Sequence, residues 1–188
     1  MNIINQARKF AQKEIEKYGM PGPIAFEISE NKAKELAEKL RADKSITLVG
    51  TYLMDIKLGQ AFKEGRGKEH VKMSVEATKE FLEKFEIDEK TKEKIINCVE
   101  AHHGDLPYIC KEAEICANAD CYRFLHPKGF LVLFSGLGKE GLEFEEILNL
   151  AELKLDEKYK ILSLDICKKE LKEYYYQLKA LIKSAREF

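Results

Sequence analysis

Apolar residues recur three and four positions apart along most of the chain. Ala33, Leu36, Ala37 and Leu40 form one such stripe and Ile46, Val49, Leu53 and Ile56 another, each with the period of a helix that turns one face to a core. β-branched runs are short, and the few Gly and Pro residues gather at joints between periodic segments. The pattern predicts an all-α fold. An opening helix is expected over about residues 2–18, stopping at Gly19-Met20-Pro21-Gly22-Pro23, which reads as a connector. Ser29 is the N-cap candidate of the next helix, which should end near Asp43, and a further helix is expected from about 45 to 63, before Glu64-Gly65-Arg66-Gly67. Helices over about 68–85, 89–103 and 111–125 follow, the last two separated by the turn Gly104-Asp105-Leu106-Pro107. Residues 129–137 read as a buried turn of helix or a short strand, with helix preferred. Residues 143–152 and 155–186 read as terminal helices, with a break expected near Asp165.

The length of 188 residues favours one compact domain over two. Within it, residues 1–23 form an N-terminal helix and connector, 24–126 a core, and 127–188 a C-terminal helical extension. The extension carries no chemical motif and suits packing on the core or on a second copy of the chain, so a homo-oligomer is among the expectations. With 32 Lys and Arg against 33 Asp and Glu there is no global basic field, hence no strong nucleic-acid signal and no attraction to an anionic membrane. The first nineteen residues lack the positive-then-apolar order of a secretory signal, and no stretch reaches the length of a membrane span. The five cysteines, Cys98, Cys110, Cys116, Cys121 and Cys167, form no CxxC pair and suit reduced thiols. A cytoplasmic location is expected.

Chemistry is suggested by polar groups on apolar faces. His70 shares a helical face with Met73, Ser74, Ala77 and Phe81; alone it reads equally as a core or capping histidine. His102-His103 closes a helix whose inward residues are Ile95, Ile96 and Val99, where a pair of ligands or a pair of cations meeting the helix dipole would both fit. Asp120 lies among Ala113, Cys116, Ala117 and Phe124, and an unpaired carboxylate there costs several kcal/mol, roughly, so it needs a metal, a metal-bound water or a basic partner. Asp55 sits in the apolar run Leu48-Val49-Gly50-Thr51-Tyr52-Leu53-Met54-Asp55-Ile56 with the same need. One carboxylate and three imidazoles make a donor set for Mn, Fe, Zn, Co or Ni.

The order VGTYLMDI, Glu69-His70, VEAHHG and EAEICANADCYRFL resembles the HD superfamily of metal-dependent phosphohydrolases, over roughly residues 24–126. That resemblance implies a compact helical HD-domain-like bundle. It also implies that Asp55, His70, His102 and His103 hold a divalent metal, and that Asp120 is the family's final aspartate. Two departures stand out: Met54 replaces the histidine of the His-Asp doublet, and no histidine lies near Ser29, where the family's first one falls, only Glu27 and Glu30. A second metal site would keep just Asp55 and Asp120, since a thioether is too soft to replace imidazole on a hard ion.

The implied activity is hydrolysis of a phosphate ester, with a nucleotide as the expected substrate class, using one metal to acidify water and polarise the phosphoryl oxygen. Asp55 would serve as ligand and Asp120 would orient the water or accept its proton. Lys57, Arg66 and Lys68 are candidates to neutralise phosphate, with ordinary surface charge as their alternative. Two other readings stand beside this one: a catalytically degenerate HD-type protein that binds metal or nucleotide as a sensor or partner-binding module, and a purely structural helical protein.

Overall fold

A computed structural model of the chain describes residues 2–187. Its elements are α1 (Ile3–Tyr18), α2 (Pro23–Lys39), α3 (Lys44–Leu53), α4 (Leu58–Lys63), a 3-10 turn (Gly67–Glu69), α5 (His70–Leu82), α6 (Glu89–Glu100), α7 (Lys111–Leu125), α8 (Pro127–Lys139), α9 (Phe144–Ile161) and α10 (Asp165–Ala185). The described residues contain helices and turns and no strand, so the chain is all-α. No helix among them is long and apolar enough to cross a membrane. All five cysteines are free thiols, and four are buried. Two compact units are present, one ending at Ala119 and the other beginning at Asp120.

In the first unit α3 is the central element, packed on α1, α2 and α6, while α5 packs on α6 and α4. Its residues from Ile46 through Leu53 are all buried, as a helix enclosed on every side must be. Asp43 starts it, its carboxylate accepting from the backbone N–H groups of Ser45 and Ile46. Where α3 crosses α6 the helices nearly touch: a Cβ on Gly50 would lie 2.3 Å from Cys98 Cβ and 2.9 Å from its Sγ. Glycine is required there for lack of space.

Three local expectations are corrected. The second helix begins at Pro23, whose fixed φ and missing N–H suit a first helical position, so Ser29 is its seventh residue, buried and bonded to the Ala25 carbonyl, and no cap. The helix expected over 45–63 is broken: after Leu53 the chain tightens into i→i+3 turns, with the Leu58 N–H donating to the Asp55 carbonyl and the Lys57 N–H diverted to Ser74 Oγ of α5 at 3.2 Å. In the second unit the stretch from Phe144 to Ile161 is one helix, started by a capping box at Glu143 and Glu146, with no division at 152–155, while the break expected near Asp165 is present at Leu162–Leu164.

The second unit consists of the end of α7 with α8, α9 and α10, where α9 packs on α8 and α10. His126 caps α8, its ring nitrogen accepting from the Lys128 N–H.

Candidate metal centre

Three short segments of the first unit deliver the four donors. Asp55 comes from the tightened turn after α3, His70 from the first position of α5, and His102-His103 from the turn that follows α6. One donor atom from each of the four lies within 4.8 Å of every other. The Asp55 carboxylate oxygen Oδ1 is 3.4 Å from His102 Nε2 and 3.6 Å from His70 Nε2, and His70 Nε2 is 3.2 Å from His103 Nε2. Metal–ligand bonds of about 2.0–2.1 Å place neighbouring donors roughly 2.8–3.4 Å apart and opposite ones about 4.0–4.2 Å apart. The spacings observed, 3.2–3.6 Å between the closest donors, come near those of donors directed at one ion.

The backbone aims the rings. His70 Nδ1–H donates to the Gly67 carbonyl at 2.7 Å and His102 Nδ1–H to the Val99 carbonyl at 2.6 Å. A carbonyl only accepts, so in the neutral ring the proton sits on Nδ1 and the Nε2 lone pair points at the cluster. His102 is fully buried, and its Nε2 makes no hydrogen bond although a carboxylate oxygen lies 3.4 Å away. Two facing acceptors repel unless a cation lies between them, and burial removes the water that would otherwise separate them. The donor set thus fits a divalent metal ion. Asp55 is 7% exposed while His70 and His103 are half-buried, so the cluster is open on the histidine side.

The turn carrying the histidine pair is strapped in place by a residue the sequence did not point to. Asn97 of α6 is buried; its Oδ1 accepts from the Ile109 N–H at 2.9 Å and its Nδ2 donates to the Pro107 carbonyl at 3.2 Å. A buried amide five residues before the His-His pair is the only signal that could have shown it.

The remaining expected site residues are not among the four clustered donors. Lys57 Nζ is paired with Glu14 of α1 at 2.9 Å, and Arg66 with Glu69 at 2.8 Å and Glu64 at 3.4 Å. Lys68 is exposed in the turn before His70. Asp120 belongs to the second unit, where Arg123 Nη1 lies 2.7 Å from Oδ1 and Lys158 Nζ 2.8 Å from Oδ2. Burial alone would lower the Lys158 pKa, but the charge of Asp120 raises it above the ordinary lysine value. Of the two glutamates near the missing histidine, Glu27 is exposed. Glu30 is buried and accepts from Arg8, Lys34 (2.6 Å) and Tyr52 (2.8 Å). Burial would raise the Glu30 pKa, yet these three donors outweigh it and pull the value down to about 2. Met54 is buried in the core.

The helical arrangement has a solved counterpart. A crystal structure described as a predicted HD superfamily hydrolase, from an uncultured Thermotogales bacterium, superposes with a TM-score of 0.61 over 81% of this chain and 84% of the other, at 16% identity. The chain has the HD-superfamily fold. Among curated proteins, ribonuclease Y of Finegoldia magna is 33% identical over 103 residues, which is 55% of this chain. The matched stretch spans only 18% of that longer protein. No protein-family profile matches the chain. At 16% identity the structural likeness speaks for the HD fold alone, and the chemistry rests on the donor cluster within it.

Proposed function

We propose that this chain is a metal-dependent hydrolase of the HD type that cleaves a phosphate ester, with a nucleotide as the substrate class, through a single divalent ion held by Asp55, His70, His102 and His103. The observation that carries the reading is the convergence of four donors on one point, with the buried His102 Nε2 turned on a carboxylate rather than on a hydrogen-bond donor. An ion bound there would acidify water and polarise a phosphoryl oxygen. The protein's own part is orientation: the Gly67 and Val99 carbonyls hold two rings in the ligating tautomer, and Asn97 fixes the turn bearing the histidine pair. The likeness to ribonuclease Y supports a phosphodiester of a nucleotide as the bond cleaved. Arg66 and Lys68, four and two residues before His70, are proposed to meet the phosphate; Lys57 would first have to leave Glu14.

Support for one ion rather than two comes from residues whose charge is already met. Glu30 is enclosed by Arg8, Lys34 and Tyr52, and Asp120 by Arg123 and Lys158. These ion pairs favour a structural part for Asp120 over a proton-accepting one. They also favour the second reading, a chain that binds metal or nucleotide without turnover.

Elemental analysis of chelator-free protein beside His103→Ala, followed by a panel of phosphomonoesters, phosphodiesters and cyclic nucleotides, separates the readings. The expected result is about one equivalent of transition metal, lost in the variant together with hydrolysis. Metal without hydrolysis of any panel member would favour the binding module. Wild-type protein that takes up no Mn, Fe, Zn, Co or Ni would end the hydrolase reading and the metal-binding form of the second.

A further inference from the structure

We propose that the second unit carries a binding site for a nucleoside phosphate, with the base lying on tyrosine and the phosphate on lysine. A cleft of about 420 Å³ lies between α9 and α10, lined by Tyr159, Leu162, Lys168, Lys169, Lys172 and Tyr176. Its charge is one-sided: three ammonium groups and no carboxylate line it, in a chain whose positive and negative residues otherwise nearly cancel. Asp165 is 3.7 Å from Lys168, but its side chain is fully exposed, so water screens it. Lys168 and Lys172 are four apart on α10 and Tyr176 is four further on, which puts them on one face.

The aromatic side is ordered in advance. Tyr159 stacks on Tyr175 with ring centroids 4.0 Å apart and planes 7° from parallel, and the Tyr175 hydroxyl donates to Asp156 at 2.7 Å, which fixes that pair. Tyr176 stands edge-on to both and is 54% exposed. A held stack with an exposed ring beside it, next to a row of exposed lysines, suits a ligand with a flat π-face joined to an anion. An acidic peptide would leave the tyrosines unused, and an uncharged aromatic would leave the lysines unused. Bases stack on aromatic side chains whatever their identity, while backbone phosphates follow the cationic groove, so both a free nucleotide and a single strand have this chemistry. The site uses none of the four metal-centre donors and does not rest on the hydrolase reading.

The test is fluorescence anisotropy of 5′-fluorescein-labelled oligo(rA) of twelve nucleotides at low salt, on the full chain. It is run for wild type and for His103→Ala, so that cleavage cannot remove the probe. Saturable binding is expected for both proteins. The triple variant Lys168→Gln, Lys169→Gln, Lys172→Gln should weaken it at least tenfold and Tyr176→Leu at least threefold, with melting temperatures unchanged because all four side chains are exposed. Displacement by unlabelled AMP at a matched nucleotide concentration would assign the site to free nucleotides; displacement by unlabelled oligo(rA) alone would assign it to a strand. Absence of binding at tens of micromolar protein overturns the proposal. So does binding that inorganic polyphosphate displaces equally well and that Tyr176→Leu leaves unchanged, since that would be charge without stacking.

Discussion

Glu30, Asp120 and Asp55 are three buried carboxylates with different neighbours. The first two are met by fixed ammonium, guanidinium or phenol groups, whereas Asp55 has the imidazole nitrogens of His102 and His70 at 3.4 and 3.6 Å. The first case has a measurable pH signature. The folded-state pKa of Glu30 lies below its ordinary value, so its pairing adds stability above about pH 4.5 and loses it as pH falls through about 2. The wild-type melting temperature should drop more steeply over that window than that of Glu30→Gln. For Asp120, removing the buried partner with Lys158→Met should cost about 3–5 kcal/mol in urea unfolding, and Asp120→Asn in the same background should recover part of it. Full hydrolytic activity in Asp120→Asn would support the structural part proposed for that residue. Asp55 and Asp120 were legible in the sequence as polar groups on apolar faces, whereas Glu30 entered only as a neighbour of the missing histidine's position. The partners of Glu30 and Asp120 were not legible: Arg8 and Lys158 are 22 and 38 residues away, and nothing in a helical period marks such a pairing.

At the scale of elements, periodicity located the long helices of the first unit but ran α3 and α4 together, and it misjudged the places where the backbone departs from a helix for a tertiary reason. Pro23 was read as a breaker when it opens α2. The turn at Met54–Lys57 has no Gly or Pro to announce it; it exists because Ser74 of α5 takes the Lys57 N–H, and it is this turn that presents Asp55. Ser74→Ala should therefore destabilise the first unit by about 1–3 kcal/mol, since it leaves a half-buried N–H without its acceptor. Asn97→Ala should act differently. It frees the Pro107–Ile109 segment and so the turn holding His102 and His103, lowering metal affinity by about tenfold while the circular dichroism of the helices stays near wild type. Isothermal titration with Mn or Zn would show whether the affinity holds, and an unchanged value would deny Asn97 that part.

For the molecule, donors from three segments separated in sequence mean that bound metal would staple α3, α5 and α6 together. An ion present at a hundred times its dissociation constant adds about 2.7 kcal/mol to the unit that holds it. Dialysis against a chelator should then lower the first unit's melting transition by roughly 5–10 °C, restored on adding metal back, and His70→Ala should melt at the chelated temperature with or without metal. The all-α character, the HD fold and the residues now seen to converge were all readable from sequence. The organisation into units meeting at Ala119 and Asp120 was not, because helical periodicity runs on through α7 without a change.

The close crossing of α3 and α6 at Gly50 and Cys98 makes those helices two arms on a fulcrum. Asp55 stands five residues beyond Gly50, and His102 four residues beyond Cys98. One methyl group at the pivot, as in Gly50→Ala, must push the arms apart, and the widened gap is carried to the tips where the carboxylate and the imidazole meet. Metal affinity would thus serve as a gauge of helix spacing at a point that no ligand touches.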